Sequence, residues 1–283
     1  MASLKKLTDK TKLSQIQENF VTYFRLFAGI AGIHYVEGDV TWNITDEGAP
    51  GNLVLKTQFQ GEALDEFIDE TIAEIGKYAD GIDWMVFPIC QPGNLADRIK
   101  ARGLEGGPDG AWELTGKIGG PGGNWMLADL TNLGLGPSVS DRFRVVRVDD
   151  EESLEAWRLA SCAGFGGGSY HNFYEAYARH GFAQDAQAHH YIGYLDDQPV
   201  TSGTLLMAGG SASLYNISTP DAVRRQGFGG AITYFMMKEM QHRGYDWTWI
   251  MASNEGKGVY ANLGYVPTDF GIREYRWQRR KSG

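Results

Sequence analysis

The segment Leu214–Gly230, LYNISTPDAVRRQGFGG, restricts the fold more than any other stretch of the chain. Leu214 to Ser218 reads as a strand that breaks at Pro220, because proline has no N–H for a ladder. Beyond the glycines, Ile232, Phe235, Met236 and Met240 recur at helical spacing. The chain therefore runs strand, loop, helix, with Gly227, Gly229 and Gly230 at the helix entrance. A helix start presents unsatisfied backbone N–H groups and a partial positive charge, and glycine lets a bulky anion approach them. The spacing predicts a phosphate-holding loop. It is not the loop of a nucleoside-triphosphate site, which needs Gly-Lys-Ser/Thr, and Gly227-Phe228-Gly229 lacks the third glycine of a dinucleotide site. The second glycine cluster, Gly164 to Gly168, follows a helical segment and reads as an inter-helix loop.

The chain has 283 residues, 42% of them hydrophobic, which is enough for two cores of ordinary size. Glycine and proline cluster between residues 104 and 139, so a boundary is expected near 119–141. The first half reads as a helix over 12–29, strands near 33–42 and 53–58, a helix over 62–78, a strand at 83–88 and a helix at 95–102. The second half reads as a strand at 143–148, with Asp149 and Asp150 at the cap of a helix over 151–162, and a helix over 169–180. Strands at 191–195, 199–207 and 212–218 follow, then a helix over 229–243, a strand at 246–252 and a helix at 258–263. Asp83-Trp84 and Asp246-Trp247 open corresponding strands, a trace of internal repetition.

Arg224-x-x-Gly227-x-Gly229 resembles the Q/R-x-x-G-x-G/A signature of the GNAT superfamily of N-acyltransferases. The resemblance covers roughly residues 143–277. Asn216-Ile217-Ser218-Thr219-Pro220 is similar to the end of the family's fourth strand, and Tyr260-Ala261-Asn262-Leu263-Gly264-Tyr265 to its second motif. The resemblance implies an α/β (α+β) chain of two GNAT-like domains, each a mixed, mostly antiparallel sheet flanked by helices. Residues 1–128 would form a degenerate copy and 142–283 the catalytic one. In the first copy, the stretch Lys56 to Leu64 has one glycine and no such signature, so one active site is expected.

The family's chemistry implies acetyl-coenzyme A as cosubstrate and Tyr260 as general acid toward the leaving thiolate. Ile217, Ser218, Thr219, Arg224, Arg225, Gln226, Gly227, Phe228, Gly229, Gly230 and Asn254 would hold the coenzyme. Tyr170, His171, Tyr215, Asn216 and Ser253 would line the acceptor side. The expected acceptor is a primary amine on a small molecule. A protein amine, a longer acyl donor or a coenzyme-binding sensor without turnover are the alternatives. No residue is singled out as the base; Asp246, Glu255, His171 and Tyr215 are all near the expected site.

A net charge of −9 argues against a nucleic-acid partner. Cys90 and Cys162 are too few for a disulfide framework, and adjacent His189 and His190 point to opposite faces of a strand, so no metal site is expected. No run of about 18 apolar residues could span a bilayer. A cytoplasmic location is expected, and a homodimer is compatible with the resemblance. The basic end Arg279-Arg280-Lys281 reads as a solvated terminus.

Overall fold

A computed structural model describes residues 10–46, 50–106 and 125–279. Trp125–Pro267 forms one unit, and the residues on either side of it form the other. In the first unit, α1 (Lys10–Arg25) precedes β1 (Ile33–Val36), β2 (Val40–Thr45) and β3 (Leu53–Thr57). Then come α2 (Leu64–Ile75), β4 (Gly81–Val86), α3 (Leu95–Ala101) and β5 (Glu105–Gly106). The second unit opens with β6 (Trp125–Asp129), β7 (Phe143–Arg147), α4 (Glu151–Gly164) and α5 (His171–His180). It continues with β8 (Ala188–Leu195), β9 (Gln198–Ala208), β10 (Ser211–Ser218) and α6 (Phe228–His242). Then β11 (Trp247–Met251), α7 (Lys257–Asn262) and β12 (Val266–Pro267) complete it, and a last strand, β13 (Arg273–Gln278), returns to the first sheet.

The first sheet has the order β1-β2-β3-β4-β13-β5 and the second β12-β6-β11-β10-β9-β8-β7. From β1 across to β5 the pairings are antiparallel, antiparallel, parallel, antiparallel, antiparallel. From β8 across to β12 they repeat in the same sequence. The internal repeat is therefore a repeat of topology. In each copy the strand after the parallel neighbour comes from the far side of the sequence: β13 pairs β4, and β6 pairs β11.

Those two strands correct the expected bounds. Residues 125–128 belong with the second unit, and 268–283 with the first, so the units do not follow 1–128 and 142–283. The patch at 33–42 resolves into a hairpin, with Ile33 opposite Thr45. Arg279 is not a free basic end, because it pairs with Asp80 at 2.7 Å; Arg280 and Lys281 lie outside the described residues, as do the glycines at 107 and 119–123. Both cysteines are free thiols, Cys90 buried and Cys162 half-buried.

Asp150 caps α4 as expected, accepting from the Ser153 amide at 2.8 Å in a reciprocal capping box. In α6, Ile232, Met236, Met237 and Met240 are buried in one cluster with Leu205, Ala212 and Leu214 of the sheet. Phe235, expected on that apolar stripe, is 40% exposed and lies edge-on to Tyr191; Met237 is fully buried. On α4, Trp157 anchors the helix by donating its indole N–H to the Gly203 carbonyl at 3.2 Å.

Candidate functional site

β10 and β11 are neighbours in parallel, registered at Ser213 and Trp249. Side chains tie them there: Ser213 Oγ donates to the Trp249 carbonyl at 2.7 Å and Thr248 Oγ1 to the Ala212 carbonyl at 3.0 Å. Beyond Ser213, β10 keeps its ladder with β9 alone. Tyr215 pairs Thr204 and Ser218 pairs Ser202, so Asn216 and Ile217 together oppose Gly203. This bulge bends the strand, and Asn216 takes the left-handed φ of 53° to make it. Its side-chain carbonyl accepts from the Tyr177 hydroxyl at 3.0 Å. Leu214 to Ser218 therefore has no strand on its β11 side among the described residues, and a wedge opens there.

The loop after the wedge is built to leave its amides free. Arg225 and Gly227 have φ of 63° and 86°, a left-handed turn that sets successive N–H groups toward one side. From Arg225 to Gly230, none of the six backbone N–H groups finds an acceptor among the described residues. The first turn of α6 carries no acidic residue and no side-chain cap. A Cβ on Gly229 would come within 3.2 Å of Thr219 Oγ1, whereas one on Gly230 meets nothing closer than 3.6 Å.

The expected coenzyme set divides into two kinds of residue. Gly227, Gly229, Gly230, Gln226 and Arg225 present backbone at the loop. Phe228 is buried and stacks on Phe143 at 5.1 Å, so its ring anchors the loop while its amide stays with the others. Arg224 is a clamp. Its guanidinium donates to the Thr219 carbonyl at 2.9 Å and the Gly164 carbonyl at 3.1 Å, and pairs with Asp221 at 2.8 Å and Glu255 at 3.2 Å. Ser218 faces inward: its hydroxyl bonds Ser202 Oγ at 2.8 Å and donates to the Ala160 carbonyl at 3.2 Å, while Thr201 donates to its carbonyl. Ile217 lies half-buried on the bulge and Thr219 at its end, and Asn254 is exposed in the turn before α7.

Tyr260 lies on α7, buried in the cluster that holds Leu214 of β10, Ile232 of α6 and Ala252 after β11, the elements around the wedge. Its ring meets Tyr265 edge-on at 5.8 Å, and its hydroxyl makes no hydrogen bond among the described residues. Burial holds its ionisation well above the ordinary phenol range, so the hydroxyl keeps its proton. Gly256, to which sequence reasoning assigned no role, makes room for it: a Cβ there would lie 2.7 Å from the Tyr260 ring. Ser253 is a turn residue, accepting from the Gly256 amide at 3.1 Å. Glu255 is engaged by Arg224.

On the acceptor side, Tyr215 is half-buried and edge-on to Trp249 at 6.1 Å. Tyr170 stands at the start of α5 with φ 49°, stacked between Phe165 at 5.6 Å and Phe173 at 4.8 Å. Phe173 in turn meets Tyr177, the partner of Asn216, so a line of rings runs from the α4–α5 loop to the bulge. His171 is exposed beside Tyr170. His189 and His190 face different neighbours: His190 stacks on Tyr177 at 3.8 Å, and His189 accepts from Arg243 at 3.3 Å.

The first unit has the same strand pair, but there the strands that part after Val54–Trp84 meet again. β3 and β4 register at Leu53–Asp83 and Val54–Trp84, and a further parallel bridge joins Gln58 to Gln91. The Gln91 amide donates to the Thr57 carbonyl and its carbonyl accepts from the Phe59 amide, each at 3.1 Å. The helix that follows carries Asp65 and Glu66 in its first turn, and Asp65 is held by Arg98 and Arg102. Carboxylates there already complement the helix dipole and would repel a phosphate.

No protein-family model matches the chain, and no curated protein matches it. Solved structures do. A GCN5-related N-acetyltransferase from Kribbella flavida superposes with TM-score 0.58 at 15% identity, over 92% of this chain and 94% of that one. A tandem GNAT protein from the clavulanic acid biosynthesis pathway gives TM-score 0.56 at 13% identity, over 86% and 79%. A functionally unknown conserved protein from Staphylococcus epidermidis gives 0.52 at 12%, over 90% and 96%. The chain has the tandem GNAT fold, two mixed and mostly antiparallel sheets flanked by helices. Among the described residues no helix is long and apolar enough to cross a membrane.

Proposed function

We propose that the second unit is an acetyl-coenzyme A-dependent N-acetyltransferase acting on a primary amine of a small molecule. The observation that carries this reading is the run of six unengaged amides, Arg225 to Gly230, at an acid-free helix start beside an open wedge. The donors match a diphosphate, and the unpaired side of β10 from Leu214 to Ser218 matches the amides of a pantetheine arm. Acetyl-coenzyme A, when bound, supplies an activated thioester carbonyl.

The chain's own groups supply the rest. Backbone N–H groups on the bulged strand orient the acyl group and polarise its carbonyl. Tyr260 carries a proton at every working pH and donates it to the departing sulfur as the carbon–sulfur bond breaks and the carbon–nitrogen bond forms. The amine's own proton leaves to solvent. The first unit, with its wedge bridged by Gln58 and Gln91, takes no coenzyme and serves as scaffold.

Titration calorimetry with acetyl-coenzyme A tests the reading: one molecule binds per chain, and Gly229→Glu, which brings a carboxylate to the loop, abolishes binding. Two molecules per chain, or unchanged affinity in the variant, overturns the site assignment. A panel of amines screened for thiol release then tests turnover. Binding without release across amines, peptides and longer acyl donors would make the unit a sensor.

A further inference from the structure

Lys10, Ser14, Gln17 and Glu18 recur at helical spacing on α1, so they share one side of it. Lys56 and Gln58, two apart on the extended chain at the end of β3, share one side of the strand. Between these two sides, with Ile89 as a further wall, lies a cavity of about 350 Å³. Its place in the fold is informative. α1 precedes β1 as α5 precedes β8, and β3 holds the position of β10. The cavity is thus the first unit's counterpart of the place where Tyr177 of α5 meets Asn216 in the second. The second unit sets rings there; the first sets amides and charges.

Two of the lining amides are fixed by the backbone. Gln17, 3% exposed, donates Nε2 to the Leu55 carbonyl at 3.5 Å, and Gln58 Nε2 donates to the Ile89 carbonyl at 3.3 Å. Each amide keeps its oxygen as an acceptor. Lys10 and Lys56 bring two positive charges against one lining carboxylate, Glu18, which Arg25 holds at 3.3 Å. Lys56 is also within electrostatic reach of Glu37, a carboxylate that Arg25 pairs at 2.7 Å. Ser14 adds a hydroxyl at the exposed rim. The volume equals the share of roughly 12 waters in the liquid and falls within the range of small-molecule sites. An apolar occupant would strip water from the lysines and amides without replacing it, and a cation would meet the lysines. An anion that also carries hydroxyls matches both sets of groups.

We infer that the first unit, beyond serving as scaffold, binds a small polyol bearing one carboxylate or phosphate in this cavity. The anionic group lies with Lys10 and Lys56, and the hydroxyls donate to the amide oxygens of Gln17 and Gln58. The inference rests on the first unit alone and stands whether or not the second transfers an acyl group.

Titration calorimetry of the whole chain with gluconate, glycerol 3-phosphate and sorbitol, at constant ionic strength, tests it. Gluconate differs from sorbitol only in a carboxylate in place of one terminal alcohol carbon, and glycerol 3-phosphate is the phosphate arm. At least one of the two anions should bind saturably, one per chain and at least about 10-fold tighter than sorbitol; which of them does so identifies the anionic group. Lys56→Gln should weaken that binding by about 10-fold or more. Should this variant fail to fold, Lys10→Gln, at the exposed start of α1, makes the same comparison. Neither anion binding, sorbitol binding as tightly as either, or an affinity unchanged in the variant overturns the site. The last result would place the anion elsewhere, the loop of the second unit included.

Discussion

Tyr260 combines a buried ring with a hydroxyl that bonds nothing among the described residues, so its loss removes the proposed general acid without removing a contact. Tyr260→Phe should leave the melting temperature within about 1 °C of wild type and the acetyl-coenzyme A affinity near unchanged. The turnover number should fall by about 100-fold or more, the range for loss of a general acid. A wild-type rate in this variant would remove Tyr260 from the chemistry. Gly227 is the converse case, a residue whose value is conformational. At φ 86° an L side chain costs about 1–2 kcal/mol, and a Cβ would also press Val139 at 3.1 Å. Gly227→Ala should therefore be less stable by that amount in urea melts, while Gly230→Ala, with 3.6 Å of clearance, should not be. Equal stabilities would show that the loop relaxes out of its left-handed turn. Both positions stand out in the sequence because the motifs that mark them are local. Arg224 was legible as a signature position but not as a clamp, since its partners Gly164 and Glu255 are 60 and 31 residues away.

At the scale of elements, the wedge and its sealed counterpart depend on the strand beside each parallel pair. β13 is an interior strand: it pairs β4 over six positions, Arg273–Val86 to Gln278–Gly81, and β5 on its other edge. Proline at Tyr275, which faces Trp84 and Gly106 and is 2% exposed, removes a ladder donor and a buried ring. Tyr275→Pro should destabilise the first unit by about 3 kcal/mol or more and strip hydrogen-exchange protection from residues 81–86. Protection of β4 unchanged from wild type would mean that the strand exchange does not hold in solution. Neither β13 nor β6 could be read from the chain. REYRWQ sets only two apolar residues, Tyr275 and Trp277, between charged and polar ones, and WMLAD follows a glycine-rich stretch; each is a strand because a partner more than 100 residues away makes it one. The helices and β8 to β11 were legible because their periodicity is carried within each segment. The bulge at Asn216 was not, because only the register against β9 reveals it.

Across the whole molecule the buried ionisable groups give the two units opposite responses to pH. In the second unit, burial and then the charges of Arg243 and Arg147 pull His189 down to about 4; burial and then His189 pull His190 down to about 3. Both titrate near 6.5 when unfolded, so below that pH the unfolded chain binds more protons, and stability falls as the pH falls toward the folded values. Near pH 5.5 the two together contribute a slope of roughly 2 kcal/mol per pH unit, rising with pH. In the first unit, burial and then the Asp83 charge push Glu274 up to about 8 from an ordinary 4.5. There the folded chain holds the extra proton, so its contribution is complete below 4.5 and is lost as the pH rises through 8, at roughly 1 kcal/mol per unit near pH 5.5. Urea midpoints of peptides from each unit, read by pulse proteolysis and mass spectrometry at pH 5 and pH 6.5, should move apart. The second unit's midpoint should rise with pH and the first unit's fall. Glu274→Gln should flatten the first unit's dependence, because a neutral amide has no proton to lose. Midpoints that move together, or a first-unit slope that survives Glu274→Gln, would show that these buried groups do not set the acid and alkaline limits of the fold.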